Sequence, residues 1–175
     1  MLEGISQSAT PLASTESKSK LPEWVWLIGV LLLGLALRLY RLGDRDYWND
    51  EIFNLYKTLY LPEILTRGEY VANHPPLFAV CVTFYRFLGF SDVEGTMRLV
   101  PVAFGMVNVF AVYFIGRKFF GARAGLFAGF LFAIAPLHIL HSQDLKPYVA
   151  LPLTGTVMAY FLYRAIETNR WQHWT

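Results

Sequence analysis

The sequence LVPVAFGMVNVFAVYFIG at residues 99–116 contains no charged residue, although Arg98 and Arg117 flank it directly. A helix needs about 20 mostly apolar residues to cross a hydrocarbon layer of about 30 Å. Because the stretch approaches that length without a charge, it predicts a membrane-spanning helix.

Other stretches have the same character. Residues 124–143 and 147–163 also lack Asp, Glu, Lys and Arg, and residues 24–37 form a shorter apolar run. After this first run we expect Arg38 and Arg41 to snorkel towards the membrane surface. The sequence RLYR that follows Leu37 lacks the small residues of a signal-peptidase site, which favours an uncleaved anchor over a signal peptide. The predicted spans are residues 24–41, 97–116, 123–141 and 147–165.

The whole composition agrees with this pattern. The chain has 175 residues, of which 55% are hydrophobic and 16% charged, so it has too little polar surface for a soluble domain. A net charge of +2 with scattered basic residues excludes bulk electrostatic binding of nucleic acid. We therefore predict an all-α, polytopic membrane helical bundle at residues 21–175. The serine-rich residues 1–20 are predicted to be a disordered cytoplasmic tail.

Basic residues in short loops indicate the orientation, since Lys and Arg stay on the cytoplasmic side. The loop that contains Arg117, Lys118 and Arg123 is then cytoplasmic, and residues 42–96 form an outer or lumenal loop with interfacial helices. The loop around Asp144 faces the same side. This parity requires that residues 75–90 do not span; the alternative is a short span in which Arg86 snorkels.

Acidic residues at this outer face are candidates for chemistry. Asp50 and Glu51 follow the first span, and Asp144 lies at the mouth of the third. Converging carboxylates suit group transfer, because one accepts a proton from an attacking hydroxyl while another orients the acceptor or a metal ion. The alternative for each carboxylate is an ordinary solvated loop position.

Cations on the same face could bind a phosphate leaving group. Arg45, Arg98 and Lys146 lie in or beside the outer segments, although each could instead snorkel at the interface. His74 precedes Pro75-Pro76 and either donates to a substrate phosphate or caps the next helix. No Cys and His cluster, glycine-rich phosphate loop or Ser-His-Asp set is apparent.

An ordered set of motifs carries a family resemblance. It comprises LRLYRLG at 37–43, WNDE at 48–51, HPPL at 74–77, MRLVP at 97–101, GRKFFGARAG at 116–125 and APLHILHSQDLKPY at 135–148. Together they resemble the polyprenyl-phosphate-sugar-dependent glycosyltransferases of the dolichyl-phosphate-mannose protein mannosyltransferase superfamily. The resemblance implies the N-terminal part of a C-type glycosyltransferase fold.

The resemblance also implies roles for particular residues. Asp50 would be the general base and Glu51 its supporting carboxylate, while Asp144, Lys146 and Tyr148 match the family's second-loop motif. His74 and Arg98 are further substrate-binding candidates. Lys146 stands where the family usually has Arg, so the charge is kept but the planar bidentate fork is lost.

The expected function is inverting sugar transfer from a polyprenyl-phosphate donor to a lipid, glycan or protein acceptor. Participation of a divalent metal is left open, and a bacterial plasma membrane is favoured over the endoplasmic reticulum. The chain is expected to be an N-terminal portion of a longer enzyme. The alternatives are a non-catalytic accessory subunit or degenerate paralogue, and a small transporter, which would instead have acidic residues within its spans.

Overall fold

The computed structural model describes residues 21–59, 76–90 and 93–168, and within these ranges the regular elements are all helical. His74 and the predicted tail at residues 1–20 lie outside the described residues. The helices are α1 (Glu23–Leu39), α2 (Asn49–Leu59), α3 (Pro76–Phe87), α4 (Glu94–Met97), α5 (Leu99–Phe120), α6 (Ala122–Ala133), α7 (Pro136–Gln143) and α8 (Leu151–Thr168), with a 3-10 helix at Pro147–Ala150 before α8. The expected all-α membrane bundle is confirmed.

Helices α1 and α5 run antiparallel. Glu23 in the first turn of α1 forms an ion pair of 3.0 Å with Arg117 in the last turn of α5. At the opposite end, Arg98 directly before α5 donates to the carbonyl of Leu42 just after α1. The basic loop after α5 and the loop after α1 therefore lie at opposite ends of the bundle.

Glycines allow α5 and α6 to pack closely. A Cβ atom built on Gly125 would lie 2.6 Å from the backbone nitrogen of Arg117, and one on Gly129 would lie 3.1 Å from Cβ of Tyr113. These two glycines are four residues apart on one face of α6, and their spacing predicts such close packing. The contacts confirm that prediction.

The apolar stretch around residues 123–141 forms two helices instead of one continuous helix. Helices α6 and α7 are bent by 59° relative to each other at Ile134 and Ala135. The cause is Pro136, because proline disfavours the helical conformation in the preceding residue, and Ala135 is extended with φ −63° and ψ 116°. At the end of α7, Nε2 of Gln143 donates to the carbonyls of Leu37 and Arg38, so this end of the segment contacts α1.

Arg38 does not snorkel to the membrane surface, contrary to the sequence-based expectation. Its side chain is fully buried and donates to the carbonyls of Gly34 and Ala133, to Oγ of Ser142 and to Nδ1 of His138. The carbonyl of Ala133 is at the end of α6, where the helix break removes its normal partner. Arg38 therefore satisfies backbone polarity that the bend would otherwise leave unpaired at membrane depth.

Length and composition identify the helices able to cross a membrane. Residues Glu94–Phe120 and Pro147–Glu167 are long and apolar enough, and the bent pair α6–α7 would add a third crossing as one broken span. Helix α1 has 17 residues, at the short end of the length that a membrane crossing requires. The four-span topology and the non-spanning character of residues 75–90 stay predictions, although α3 is a short helix of 12 residues.

A buried apolar cluster lies next to the segment that contains Lys146 and Tyr148. It joins one face of α3 to the start of α5 and to the segment after α7, and consists of Phe78, Val82, Met97, Val100, Leu145 and Val149. Leu145 and Val149 flank the candidate residues Lys146 and Tyr148. The cluster thus fixes the backbone from which these two side chains project.

Candidate functional site

Glu51 and Arg98 form a buried ion pair at the end of the bundle opposite the basic loop after α5. Nη2 of Arg98 donates to Oε2 of Glu51 at 2.7 Å, and Nε donates to Oε1 at 3.0 Å. The two side chains are 0% and 1% exposed. Oε1 of Glu51 also accepts from the backbone N–H of Leu145 at 2.7 Å. The pair therefore links α2, the start of α5 and the loop after α7.

The remaining donors of Arg98 bind the loop between α1 and α2. Nη1 donates to the carbonyls of Leu42 and Arg45, and Nη2 donates to the carbonyl of Asp46. With the two bonds to Glu51, these contacts use every N–H that a guanidinium carries. Arg98 thus binds the protein itself in this arrangement, and has no N–H left for a substrate phosphate.

The environment of Glu51 favours its charged form. Burial alone would raise the pKa of Glu51, but the hydrogen bonds from Arg98 and Leu145, together with the Arg98 charge, outweigh that effect. The pKa of Glu51 accordingly lies below its ordinary value. A carboxylate that is ionised, buried and fully paired is suited to organising the site.

Asp50, in contrast, points towards solvent. Its side chain is 60% exposed, and Oδ2 accepts from Nζ of Lys146 at 2.8 Å. The Lys146 side chain is only 9% exposed, and its ammonium lies 3.5 Å from the centre of the Trp48 ring and 5.5 Å from that of Tyr148. The structure thus brings one carboxylate and two aromatic rings together around one cation.

Asp144 lies on the other side of the same loop. Its side chain is 12% exposed, and Oδ1 is 3.4 Å from Nη2 of Arg45, whose side chain is 55% exposed. The pKa of Asp144 is raised because burial disfavours its charge and the Glu51 carboxylate repels it, an effect that Arg45 and Lys146 only partly offset. Asp144 therefore binds a proton more readily than an exposed aspartate.

A cleft of about 350 Å³ opens between these groups, and Arg45, Asp46, Trp48, Glu51, Arg98, Leu140 and Asp144 line it. Arg45 is the half-exposed cation of this cleft, since Arg98 is buried. The cleft therefore combines a half-exposed cation with the Trp48 ring, which also contacts the Lys146 ammonium.

Two amides fix the backbone of the segment that contains Lys146. Nδ2 of Asn108, buried in α5, donates to the carbonyl of Val149 at 2.8 Å. Nδ2 of Asn54 in α2 donates to the carbonyl of Leu145 at 3.1 Å. These bonds brace both sides of Lys146, so its side chain projects from a defined position.

The structure therefore groups most of the residues that the sequence singled out. Asp50, Lys146 and Tyr148 lie in one cluster, and Glu51 joins Arg98 next to Asp144. Sequence reasoning missed the roles of Trp48, Asn108 and Arg38. For Trp48 a signal was available, because it directly precedes the acidic pair and aromatic faces attract lysine.

Among residues 21–59, 76–90 and 93–168, no group of three or more His, Cys, Asp or Glu side chains could bind a metal ion. Asp50 pairs with Lys146 instead, and Glu51 pairs with Arg98.

Comparison with known proteins adds one positive finding. The family described as dolichyl-phosphate-mannose-protein mannosyltransferase matches residues 73–175, which is more than half of the chain. The match includes Arg98, Asp144 and Lys146 and begins after Asp50. No curated protein and no solved structure matches the chain significantly.

Proposed function

The chain belongs to the dolichyl-phosphate-mannose-protein mannosyltransferase family, and we propose that it transfers a sugar from a polyprenyl-phosphate donor to an acceptor at the outer or lumenal face of a membrane. The observation that carries this proposal is the pairing of the exposed Asp50 carboxylate with the Lys146 ammonium beside the cleft. One group can accept a proton, and the other can bind a phosphate.

Asp50 acts as the general base in this proposal. The acceptor hydroxyl or amine attacks the anomeric carbon of the sugar, and its proton passes to the Asp50 carboxylate. A new bond forms at the anomeric carbon as the bond to the phosphate oxygen breaks. The lipid phosphate leaves with that electron pair, and the anomeric configuration is inverted.

Arg45 and Lys146 stabilise the departing phosphate. Charge develops on the phosphate oxygens as the bond breaks, and cations already in position lower the energy of that state. Arg45 is half-exposed at the cleft, while the side chain of Lys146 is largely buried beside Asp50 and Trp48. Tyr148 and His74 remain substrate-binding candidates, with Tyr148 next to the Lys146 ammonium.

Glu51 and Arg98 act by positioning. Their buried pair fixes the start of α2, where Asp50 lies, relative to the loop that contains Asp144 and Lys146. Asp144 orients Arg45 and, through it, the donor phosphate. We assign no direct proton transfer to Glu51, because its oxygens are used by Arg98 and the Leu145 amide.

The proposed membrane arrangement follows the described bundle. The basic loop of Arg117, Lys118 and Arg123 faces the cytoplasm, and the cleft at the other end of α5 faces outward. A lipid-linked donor then reaches the cleft from the outer leaflet, near the end of α1. We propose four crossings and a bacterial plasma membrane, with a lipid, glycan or protein as acceptor.

The test is sugar release from polyprenyl-phosphate donors by membranes that contain the protein. Asp50→Asn should reduce transfer by at least about a hundredfold, the usual contribution of a positioned base. Asp44→Asn is the matched control, because it removes a loop carboxylate that pairs with Arg41 outside the cluster. Equal transfer by wild type and Asp50→Asn would refute the assignment of the base.

A further inference from the structure

In the position that it occupies in the structure, the Lys146 ammonium cannot contact the leaving phosphate during sugar transfer. It is 2.8 Å from Oδ2 of Asp50, in direct contact with the proposed base. In an inverting displacement the base and the leaving phosphate lie on opposite faces of the sugar. Lys146 therefore cannot contact both groups at once while a sugar lies between them.

The surroundings of Lys146 suit a side chain that changes partner. Lysine has a flexible stem and a compact charge with three donors, whereas an arginine would be fixed by a planar bidentate fork. The faces of Trp48 and Tyr148 lie 3.5 Å and 5.5 Å from the ammonium and attract a cation without forming a directional bond. Asp50 is largely exposed, so water can replace the ammonium at its carboxylate, and the aromatic rings stay in contact with the mostly buried Lys146 when it leaves Asp50.

We propose, on the basis of the proposed function, that Lys146 is a shared cation: it pairs with Asp50 in the donor-free protein and moves to the lipid phosphate when the donor binds. Donor binding then frees the base, so the donor binds before the acceptor is activated. Lys146 selects for an anionic donor, and Asp50 competes with the donor phosphate for the ammonium. No covalent bond changes in this step.

This competition predicts an unusual sign for a binding experiment. Removing the charge of the proposed base should tighten binding of the donor phosphate, because Lys146 no longer has a competing partner. The probe is a sugar-free polyprenyl phosphate, and its affinity is measured for the purified full-length protein in detergent. Turnover is not needed, so the result does not depend on finding the right sugar or acceptor.

Asp50→Asn should raise the affinity for polyprenyl phosphate by about fivefold, the upper range for releasing a partly exposed ion pair. Lys146→Met should lower the affinity, and adding Asp50→Asn to Lys146→Met should give no gain. Asp44→Asn is the matched control for loss of one negative charge from the same loop, and should leave the affinity within about twofold of wild type.

The outcomes separate this inference from the proposed function. The shared cation is overturned if polyprenyl phosphate binds but Asp50→Asn does not raise the affinity, or raises it equally in the Lys146→Met background. The proposed donor class then still stands. If polyprenyl phosphate binds no variant, both fail. Should Lys146→Met not insert, Lys146→Arg replaces it; the locked fork should then reduce the gain from Asp50→Asn, and an undiminished gain would overturn the role of lysine.

Discussion

Replacing Glu51 by glutamine should destabilise the protein far more than replacing its neighbour Asp50 by asparagine. Both changes remove one negative charge from the start of α2. Glu51 is fully buried against Arg98, however, whereas Asp50 is 60% exposed beside Lys146. Removing one partner of a buried pair costs about 3–5 kcal/mol because the other charge stays buried and uncompensated. For the Asp50 pair we expect a smaller loss, because water solvates the exposed carboxylate and the Trp48 ring stays against the Lys146 ammonium.

The assay is the free energy of unfolding of the purified protein in mixed micelles, with both variants measured under the same conditions. A double variant supplies a further check. Glu51→Gln combined with Arg98→Met should recover much of the stability, since no unpaired buried cation is left, although the loop carbonyls of Leu42, Arg45 and Asp46 lose their donor. Equal losses for Glu51→Gln and Asp50→Asn would refute the buried-pair reasoning.

The remaining predictions concern pH, Asp144 and close packing. Because the pKa of Glu51 is lowered, its ionised form stabilises the fold at any pH above the ordinary carboxyl pKa of about 4.3. This contribution is lost as the pH falls through the folded-state pKa of Glu51. The difference in unfolding free energy between wild type and Glu51→Gln should therefore shrink in acid, and a constant difference would contradict this. The pKa of Asp144 is raised, so its charge disfavours folding at neutral pH. At neutral pH, Asp144→Asn should therefore increase the free energy of unfolding, and it should also weaken donor binding. A lower free energy of unfolding would count against the desolvation argument. Gly105→Ala should cost about 1–3 kcal/mol because the new Cβ would collide with Oγ of Ser142. Gly29→Ala should be neutral or stabilising, because no atom lies within 4 Å of its new Cβ, and similar melting temperatures for the two variants would contradict the packing.

Local sequence patterns predicted the helices and the residues of the cluster. Long charge-free runs indicated α5 and α8, and the small-residue spacing of Gly125 and Gly129 indicated the close approach of α6 to α5. These features depend on neighbours within one helix or on the apolar environment. They can therefore be read without knowing the tertiary fold.

The partners of the charged residues depend on contacts that are distant in sequence. Arg38 follows an apolar run, as snorkelling arginines do, yet the helix break at Pro136 leaves the carbonyl of Ala133 free to accept a hydrogen bond from it. Asp50 and Glu51 are adjacent in sequence, but successive positions on a helix face different directions, so one is exposed and the other buried. No local sequence pattern indicates that Arg98 pairs with Glu51 and not with a substrate phosphate.

The most direct test of the central claim is transfer of labelled sugar from a panel of polyprenyl-phosphate-linked hexoses and pentoses, using membranes that contain the full-length protein. The anomeric configuration of the product is determined by NMR, and membranes with Asp50→Asn serve as the matched control. We predict transfer with inverted configuration that depends on Asp50. Transfer with retained configuration, or the same transfer from Asp50→Asn membranes, would contradict the account.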